Sequence, residues 1–592
     1  MNHPSSSSET SREGSSPSRR VWVILFFFLA LAILAACDRS PRNVPLHEAS
    51  LSDLQSRVAC GDAEALVQLA IRHNIGRGVP YSVAKTQELM QQAATKGSVT
   101  AAGICALNGW GPTKDLALAF QSFEKSATTG DPTALRNLGR CHMYGLGCTK
   151  DMKRGFELYQ QAAGSGDPAA VFFVADALLK GLGTEIHPAQ GVEMLERASS
   201  AGNFMATVQL AECYDTGAGC IKDAARAAEL YAQAAEAGLE SAMRGLGVLY
   251  ANGIGVTKDA TKAVELWTKA SDLGDTRSML WLGDCHRLGI GVAADFSKCE
   301  ALWLKAAAAG LAEAWRHLGD EYEWGKRVTK NQARANELYL KAGEAGDAIG
   351  YRYLAINIWN GAGVTADKDA ALKLYRKAAD LGDGHSWRVI GTCLATGNDG
   401  LPKDMKAACA CFLKAGELGE SEGYNSLAYY GYEAASPPDL PKAAEYYLIA
   451  ARMGNVMAMS NYAMMRMEGS GVTKDPADAV EWYQKAAAKG DARAQWLLGK
   501  CLASGRGVAR DLVKAVALFT QANEQNFALA ALDLACCYEQ GIGCTKDATK
   551  ARSLFEKAAS LGNADAKAKL EASPTTTPSS PSGGITQPRE AP

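Results

Sequence analysis

The sequence lacks both a long run of basic residues and any segment in which apolar and polar residues alternate. Its 62 lysines and arginines face 64 acidic residues, which gives a formal net charge of −2. Surfaces that bind nucleic acid concentrate positive charge, so the composition argues against a nucleic-acid partner. The missing two-residue period argues against β-strands and predicts an all-α protein.

An uncharged apolar segment lies near the start of the chain. It follows Arg19 and Arg20 and reads VWVILFFFLALAILAA over residues 21–36. A helix that crosses a bilayer takes about 20 apolar residues, so this shorter run is typical of an export signal. The letters LAAC at residues 34–37 resemble the lipobox of bacterial lipoproteins. That resemblance implies cleavage before Cys37 and lipidation of Cys37, with an uncleaved signal anchor as the alternative.

The two ends of the chain are therefore predicted to differ from its body. Residues 1–36 are a predicted signal peptide with a lipobox, and residues 37–50 a linker after the lipidated cysteine. We expect a membrane-anchored lipoprotein of the bacterial cell envelope, facing the periplasm or the cell exterior. Residues 572–592 are rich in Pro, Ser and Thr, and they predict a disordered tail because they can bury little apolar surface.

One module repeats throughout residues 51–571. Degenerate copies of its Gly-x-Gly turn occur near residues 325, 397 and 433, and an earlier copy occupies residues 76–78. A fixed period of this length predicts a solenoid, here of about 14 modules. The first glycine of each regular turn falls on a 36-residue grid, at Gly109, Gly145, Gly181, Gly217, Gly253, Gly289, Gly361, Gly469, Gly505 and Gly541.

Each module is predicted to be a helical hairpin. Asp131 is a predicted N-cap followed by Pro132 at the first helical position, and Pro168 is expected to follow Asp167 in the same way. The second helix is expected to begin after an Asp such as Asp259, since apolar residues follow it at helical spacing. One hairpin cannot bury its apolar stripe alone, so neighbouring hairpins must stack.

The segments DPTALRNLGRCHMYGLGCTKDMKRGFELYQQAAGSGD and DARAQWLLGKCLASGRGVARDLVKAVALFTQANEQN resemble Sel1-like repeats, which are relatives of the tetratricopeptide repeat. The resemblance covers about nine-tenths of the chain. It implies a right-handed α-solenoid superhelix of antiparallel helix-turn-helix repeats. It also implies a scaffold or adaptor that presents a concave surface to a protein or peptide.

Catalytic and metal-binding patterns are missing. His142 and His286 occupy a position that holds tyrosine in other modules, and the histidines lack the Glu and His spacing of a zinc helix. Ser82 and Lys85 form a Ser-x-x-Lys match without the companion motifs of penicillin-recognising enzymes. The sequence therefore predicts no catalytic residues, no metal and no cofactor. An envelope enzyme or ligand-binding protein acting on cell-wall or β-lactam-like compounds is the alternative, by analogy with the family alone.

Aromatic residues break the pattern of the first helix in several modules. Small or polar residues occupy the corresponding positions elsewhere, and five of the six aromatics fall in consecutive modules. Because Trp and Tyr dominate binding hot spots, these rings are candidates for contact with a partner. The alternative is that they fill wide gaps between helices. The six are Trp281, Trp315, Tyr351, Trp359, Trp387 and Trp496.

Cysteines recur at two positions that flank the glycine turn. A residue just beyond a glycine C-cap packs back on the last helical turn, so the two positions should touch. An exported protein meets oxidising conditions, which favours pairing. The candidate disulfides are Cys141–Cys148, Cys213–Cys220 and Cys537–Cys544.

Overall fold

Helical hairpins follow one another along the chain in the computed structural model, which describes residues 46–398 and 400–572. These residues form thirty α-helices and one π-helix, and no strand occurs among them. The chain is an all-α solenoid, as predicted. We number the helix pairs as repeats 1 to 14 and call the two helices of a pair helix A and helix B.

The pairs of helices A and B are Ala63–Ile75 with Val83–Thr95 (repeat 1), Val99–Asn108 with Leu116–Ala127 (2), Pro132–Tyr144 with Met152–Gly164 (3), Ala170–Lys180 with Pro188–Ser200 (4), Phe204–Thr216 with Ala224–Glu236 (5), Glu240–Asn252 with Ala260–Asp272 (6), Thr276–Leu288 with Phe296–Ala308 (7), Ala312–Trp324 with Gln332–Glu344 (8), Ala348–Asn360 with Lys368–Asp380 (9), Gly384–Thr396 with Met405–Glu417 (10), Ser421–Ser426 and the π-helix Leu427–Glu433 with Leu440–Arg452 (11), Val456–Glu468 with Pro476–Ala488 (12), Ala492–Ser504 with Leu512–Glu524 (13), and Ala528–Gln540 with Ala548–Ser560 (14). Helices Leu51–Ala59 and Ala564–Ala572 flank the repeats.

The chain divides into two units. The first ends at Leu311 and holds repeats 1 to 7, and the second begins at Ala312 and holds repeats 8 to 14. Within each unit every helix packs against the next one. Leu66 and Phe123 are fully buried in the first unit, and Tyr339 and Tyr447 in the second. None of the described helices is long and apolar enough to cross a membrane.

Short polar and glycine signals set the helix ends. The Asp131 side chain accepts a hydrogen bond from the Thr133 amide, and Pro132 begins the helix, as predicted. The prediction for Pro168 was wrong, because that helix begins at Ala170. Asp167 still caps it, since Oδ1 accepts from the amides of Ala169 and Ala170 at 2.8 and 3.2 Å.

The two glycines of the turn have different functions. Gly145 ends helix A of repeat 3 with φ of 70°, in the left-handed region that favours glycine. Gly147 has φ of 75°, and a Cβ there would lie 2.2 Å from the carbonyl oxygen of Leu116 in the preceding repeat. The first glycine therefore ends the helix, and the second allows the turn to contact its neighbour.

Repeats 10 and 11 depart from the regular spacing and then restore it. In repeat 10 the turn GNDG is longer, and helix B begins at Met405, one residue later than the 36-residue period places it. Helix B of repeat 11 begins at Leu440, back on the period. The extra residue of repeat 10 is thus compensated in repeat 11, where helix A ends in the π-helix.

Polar pairs join the A helices of consecutive repeats. Arg136 Nε donates to Asp167 Oδ2 at 2.9 Å, and the two residues lie 31 positions apart. The same spacing joins Arg244 to Asp275 at 2.5 Å, and Arg352 to Asp383 at 2.8 Å. At the same spacing Trp496 and Phe527 form an apolar pair, with ring centroids 5.6 Å apart.

In the first unit, repeat 1 also contacts repeats that are distant in sequence. The Tyr81 amide donates to the Ala237 carbonyl at the end of repeat 5, at 3.2 Å. A Cβ on Gly76 would lie 2.8 Å from the ring of Phe204, and one on Gly202 would lie 3.8 Å from Arg77. The turn of repeat 1 therefore reaches repeats 4 and 5 and brings Tyr81 to the A helices described next.

Candidate functional site

The A helices of repeats 4, 5 and 6 line a groove in the first unit, which we call the repeat 4–6 groove. It encloses about 480 Å³, and Tyr81 of repeat 1 forms part of its wall. Its lining combines apolar side chains with charged ones, as in binding sites that bury a ligand and fix its orientation. The lining residues are Tyr81, Phe172, Asp176, Lys180, Met205, Val208, Gln209, Glu212, Leu239, Glu240, Ser241 and Arg244.

Some charges of the groove are already paired. The carboxylate of Asp176 accepts from Lys180 Nζ at 2.6 Å and from Gln209 Nε2 at 2.5 Å. Arg244 is engaged by Asp275 outside the groove. Glu212 and Glu240 make no ion pair with any described residue. The groove therefore carries two carboxylates without a direct ion pair.

The protein environment disfavours charge at the groove wall. Burial raises the pKa of the Glu212 carboxyl above its usual range, against the opposing effects of Arg244 and Lys180. Burial also raises the pKa of Tyr81 to about 12, and the charge of Glu240 adds to that rise. The Glu212 side chain is nevertheless exposed. A carboxylate that is accessible but poorly hydrated can gain much from a cationic partner.

A family model described as the Sel1 repeat matches fourteen segments of the chain. The chain belongs to the Sel1 repeat family. Sel1 repeat proteins commonly serve as scaffolds for protein interaction. The number of predicted modules is confirmed. The matched residues are 63–98, 100–131, 132–167, 168–203, 205–239, 240–275, 276–311, 312–347, 348–383, 390–420, 421–455, 456–491, 492–527 and 528–563.

Individual proteins resemble parts of this Sel1 repeat chain. A cytochrome c oxidase assembly factor 7 from Xenopus tropicalis is 32% identical over 93 residues, which are 14% of this chain and 40% of that one. A protective antigen of uropathogenic Escherichia coli is 26% identical, with 74% of this chain and 99% of that chain covered and a TM-score of 0.43. A Sel1 repeat protein from Oxalobacter formigenes is 30% identical, with 52% and 89% covered and a TM-score of 0.41.

Catalytic chemistry finds no support among the residues singled out in the Sel1 repeats. Ser82 is an N-cap whose Oγ accepts from the Lys85 amide, while Lys85 Nζ pairs with Glu88 at 2.8 Å. A serine nucleophile needs a base within hydrogen-bond reach, and Lys85 is engaged elsewhere. His142 packs edge-on against Phe120, with ring centroids 5.6 Å apart. Within residues 46–398 and 400–572, no three His, Cys, Asp or Glu side chains are grouped to hold a metal.

Five of the six candidate aromatics contact a B helix, Trp281 among them through Trp267 of repeat 6. A Cβ on Gly343 of the preceding B helix would lie 2.4 Å from the Tyr351 ring. Trp387 Nε1 donates to the Ala379 carbonyl of the preceding B helix at 3.0 Å. The remaining pairs are Lys341 Nζ over the Trp315 ring at 5.0 Å and Trp359 beside Tyr375 at 6.2 Å. These contacts agree with the alternative that the rings fill gaps between helices.

Trp281 and Trp496 occupy helix A positions whose counterparts in repeat 5 line the repeat 4–6 groove. Trp281 lies two periods beyond Gln209, and Trp496 eight periods beyond Val208. Trp281 packs 5.6 Å from the Trp267 ring. Trp496 Nε1 donates to Asp533 at 2.7 Å. Trp281 lies in the first unit and the other five candidates in the second.

The sequence search missed an aromatic residue and the groove itself. Tyr424 is the fourth residue of its A helix, as Trp315, Tyr351 and Trp387 are of theirs. The insertion in repeat 10 shifts Tyr424 off the 36-residue grid, so only its place within the helix reveals the correspondence. The sequence did not indicate the groove because its polar residues conform to the repeat pattern, and only residues that depart from that pattern stand out in the sequence.

The three candidate cysteine pairs are brought together as free thiols. Cys148, Cys220 and Cys544 pack against the same clusters that contain Cys141, Cys213 and Cys537. Burial raises the pKa of each of the latter three to about 11, and the neighbouring thiol adds to the rise. The disulfides stay a prediction, and so does lipidation of Cys37, which lies outside the described residues together with residues 1–36 and 573–592.

Proposed function

We propose that this chain is a non-enzymatic scaffold of the bacterial cell envelope and that it binds a protein or peptide segment in the repeat 4–6 groove. The groove is the observation that carries the proposal, because three successive A helices line it and it leaves charged groups unpaired. An adaptor needs such an accessible, mixed surface and no reacting residues. A cofactor is not required for this function.

Attachment to the membrane is the second part of the proposal. It is supported by the apolar segment at residues 21–36 and by the LAAC letters that end at Cys37. We expect a lipid alkyne fed to cells to label the protein and Cys37→Ser to abolish that label. The control is Cys536→Ser, which removes a half-buried thiol of repeat 14 and should leave the label unchanged. A label that survives Cys37→Ser contradicts the anchor.

Binding in the groove can be tested by photo-crosslinking in cells. A photoreactive amino acid replaces Ser241, which lines the groove, and in a control replaces Gln233, which is exposed on the B helix of repeat 5. We expect an adduct of discrete mass from position 241 and none of that mass from position 233. The absence of any adduct, or equal adducts from both positions, contradicts the proposal.

A further inference from the structure

We propose that the repeat 4–6 groove selects a partner segment by a lysine or arginine side chain flanked by apolar residues. This inference rests on the proposed function, because it names the chemistry of the segment bound in the same groove. Glu212 and Glu240 are the carboxylates that receive the cationic head. The apolar lining receives the residues on either side.

The charges of the groove favour a partner segment that carries positive charge. Asp176 is neutralised within the protein by Lys180, and Arg244 is held by Asp275. Both basic side chains lower the pKa of the Glu212 carboxyl from a distance, but their direct ion pairs are made with Asp176 and Asp275 rather than with Glu212 or Glu240. A cation from a partner adds an ion pair in a recess that water screens less than it screens an open surface. An acidic segment would face two like charges without compensation, which disfavours its binding.

The apolar lining gives the shape of the partner. Phe172 and Met205, on helices A of repeats 4 and 5, are half-buried, while Val208 and Leu239 beneath them are only 7% and 2% exposed. Lysine and arginine carry a long aliphatic stem that packs on apolar surface while the charged head stays polar. Small apolar neighbours of that residue would cover the rest of this lining.

Gln209 provides an independent sign that the groove accepts hydrogen-bond donors. Its side chain lines the groove and is only 9% exposed. Nε2 donates to Asp176, while Oε1 is buried with no hydrogen-bond partner. A buried acceptor without a donor is costly. A lysine, arginine or peptide N–H would supply the missing donor if the Gln209 side chain turned Oε1 toward the segment on binding, whereas a carboxylate could not.

The test is a selection from a displayed library of random twelve-residue peptides on the purified full chain. Enriched peptides are then measured by fluorescence anisotropy against the unmodified chain and against Glu212→Gln. We expect the enriched sequences to share a lysine or arginine between apolar residues. Their affinity should fall about tenfold in Glu212→Gln, as it should when that basic residue is replaced by glutamine.

The matched control is Glu229→Gln. Glu229 lies on helix B of repeat 5 and pairs with Arg226 at 2.8 Å, so this variant loses the same charge outside the groove. Its affinity should stay within twofold of the unmodified chain. Unchanged circular dichroism of both variants shows that folding is intact.

Each of the other possible outcomes of this selection has a different meaning. Peptides without a basic residue, or basic peptides insensitive to Glu212→Gln, overturn the inference and leave the scaffold function standing. Self-association that depends on Glu212 and excludes peptides means that the occupant is a second copy of the chain, which also overturns the inference. No enriched peptide at all counts against both the inference and the proposed function.

Discussion

Single carboxylates at the start of the A helices hold two repeats together. Asp167 caps its own helix with Oδ1, while Oδ2 accepts from Arg136 of the preceding repeat. Asp347 divides its oxygens in the same way between the Ile349 amide and Arg316. A neutral cap such as serine would satisfy its own helix alone. The charge of the capping residue therefore links helix capping to the stacking of repeats.

Loss of Arg136 should be costly because Asp167 is only 3% exposed. We expect Arg136→Leu to lower the free energy of unfolding by about 3 kcal/mol, since it leaves a buried charge without its partner. Urea unfolding followed by circular dichroism measures the change. Arg154→Leu in the same repeat is the control, because its pair with Glu157 is about half exposed and should contribute less than ~1 kcal/mol. Equal effects of the two variants would refute this role of Arg136.

At the scale of single elements, helices A and B of a repeat can approach each other closely because small residues lie at their contact. In repeat 3 a Cβ on Gly139 would lie 2.9 Å from the Gly155 carbonyl oxygen and 2.9 Å from the Tyr159 ring. A Cβ on Gly155 would in turn lie 2.9 Å from the Gly139 carbonyl oxygen. The two backbones are therefore in contact, and the large ring of Tyr159 packs over the same point.

Alanine at two glycines of repeat 3 should have opposite effects. We expect Gly139→Ala to destabilise the protein by about 1–3 kcal/mol because the new methyl group has no space. Gly164→Ala has no atom within 4 Å of its Cβ and should stabilise the last turn of helix B by up to ~1 kcal/mol. Thermal unfolding of both variants tests this, and a stabilised Gly139→Ala variant would contradict the close helix contact.

Helix type and period could be predicted from the sequence, but the direction of side chains around helix A could not. The Gly-x-Gly turns and the capping Asp residues act locally, so pattern alone located them. An A helix packs against the B helices on both sides, which makes its apolar stripe wide. Bulk at Tyr351 therefore does not reveal whether the ring faces a groove or a B helix. Glu212 became a candidate only when the structure showed which charges are paired.

At the scale of a whole unit, the contacts of repeat 1 extend beyond nearest neighbours. Stability in a simple solenoid comes from each repeat and its immediate interfaces. In the first unit, Tyr81 also joins repeat 1 to the end of repeat 5 through its amide and lines the repeat 4–6 groove. Repeat 1 thus contributes both to the stability of repeat 5 and to the wall of the candidate site.

This long-range contact can be measured by hydrogen exchange. Phe204→Ala removes the ring that packs on Gly76, so we expect faster exchange at the Tyr81 amide as well as within repeat 5. Phe519→Ala in repeat 13 is the control, because that ring is 3% exposed and packs within its own repeat on Gly499. It should change exchange near repeat 13 and leave Tyr81 protected. If the Tyr81 amide of Phe204→Ala stays as protected as before, repeat 1 is held by its sequence neighbours alone. That result would also contradict a role of repeat 1 in shaping the groove.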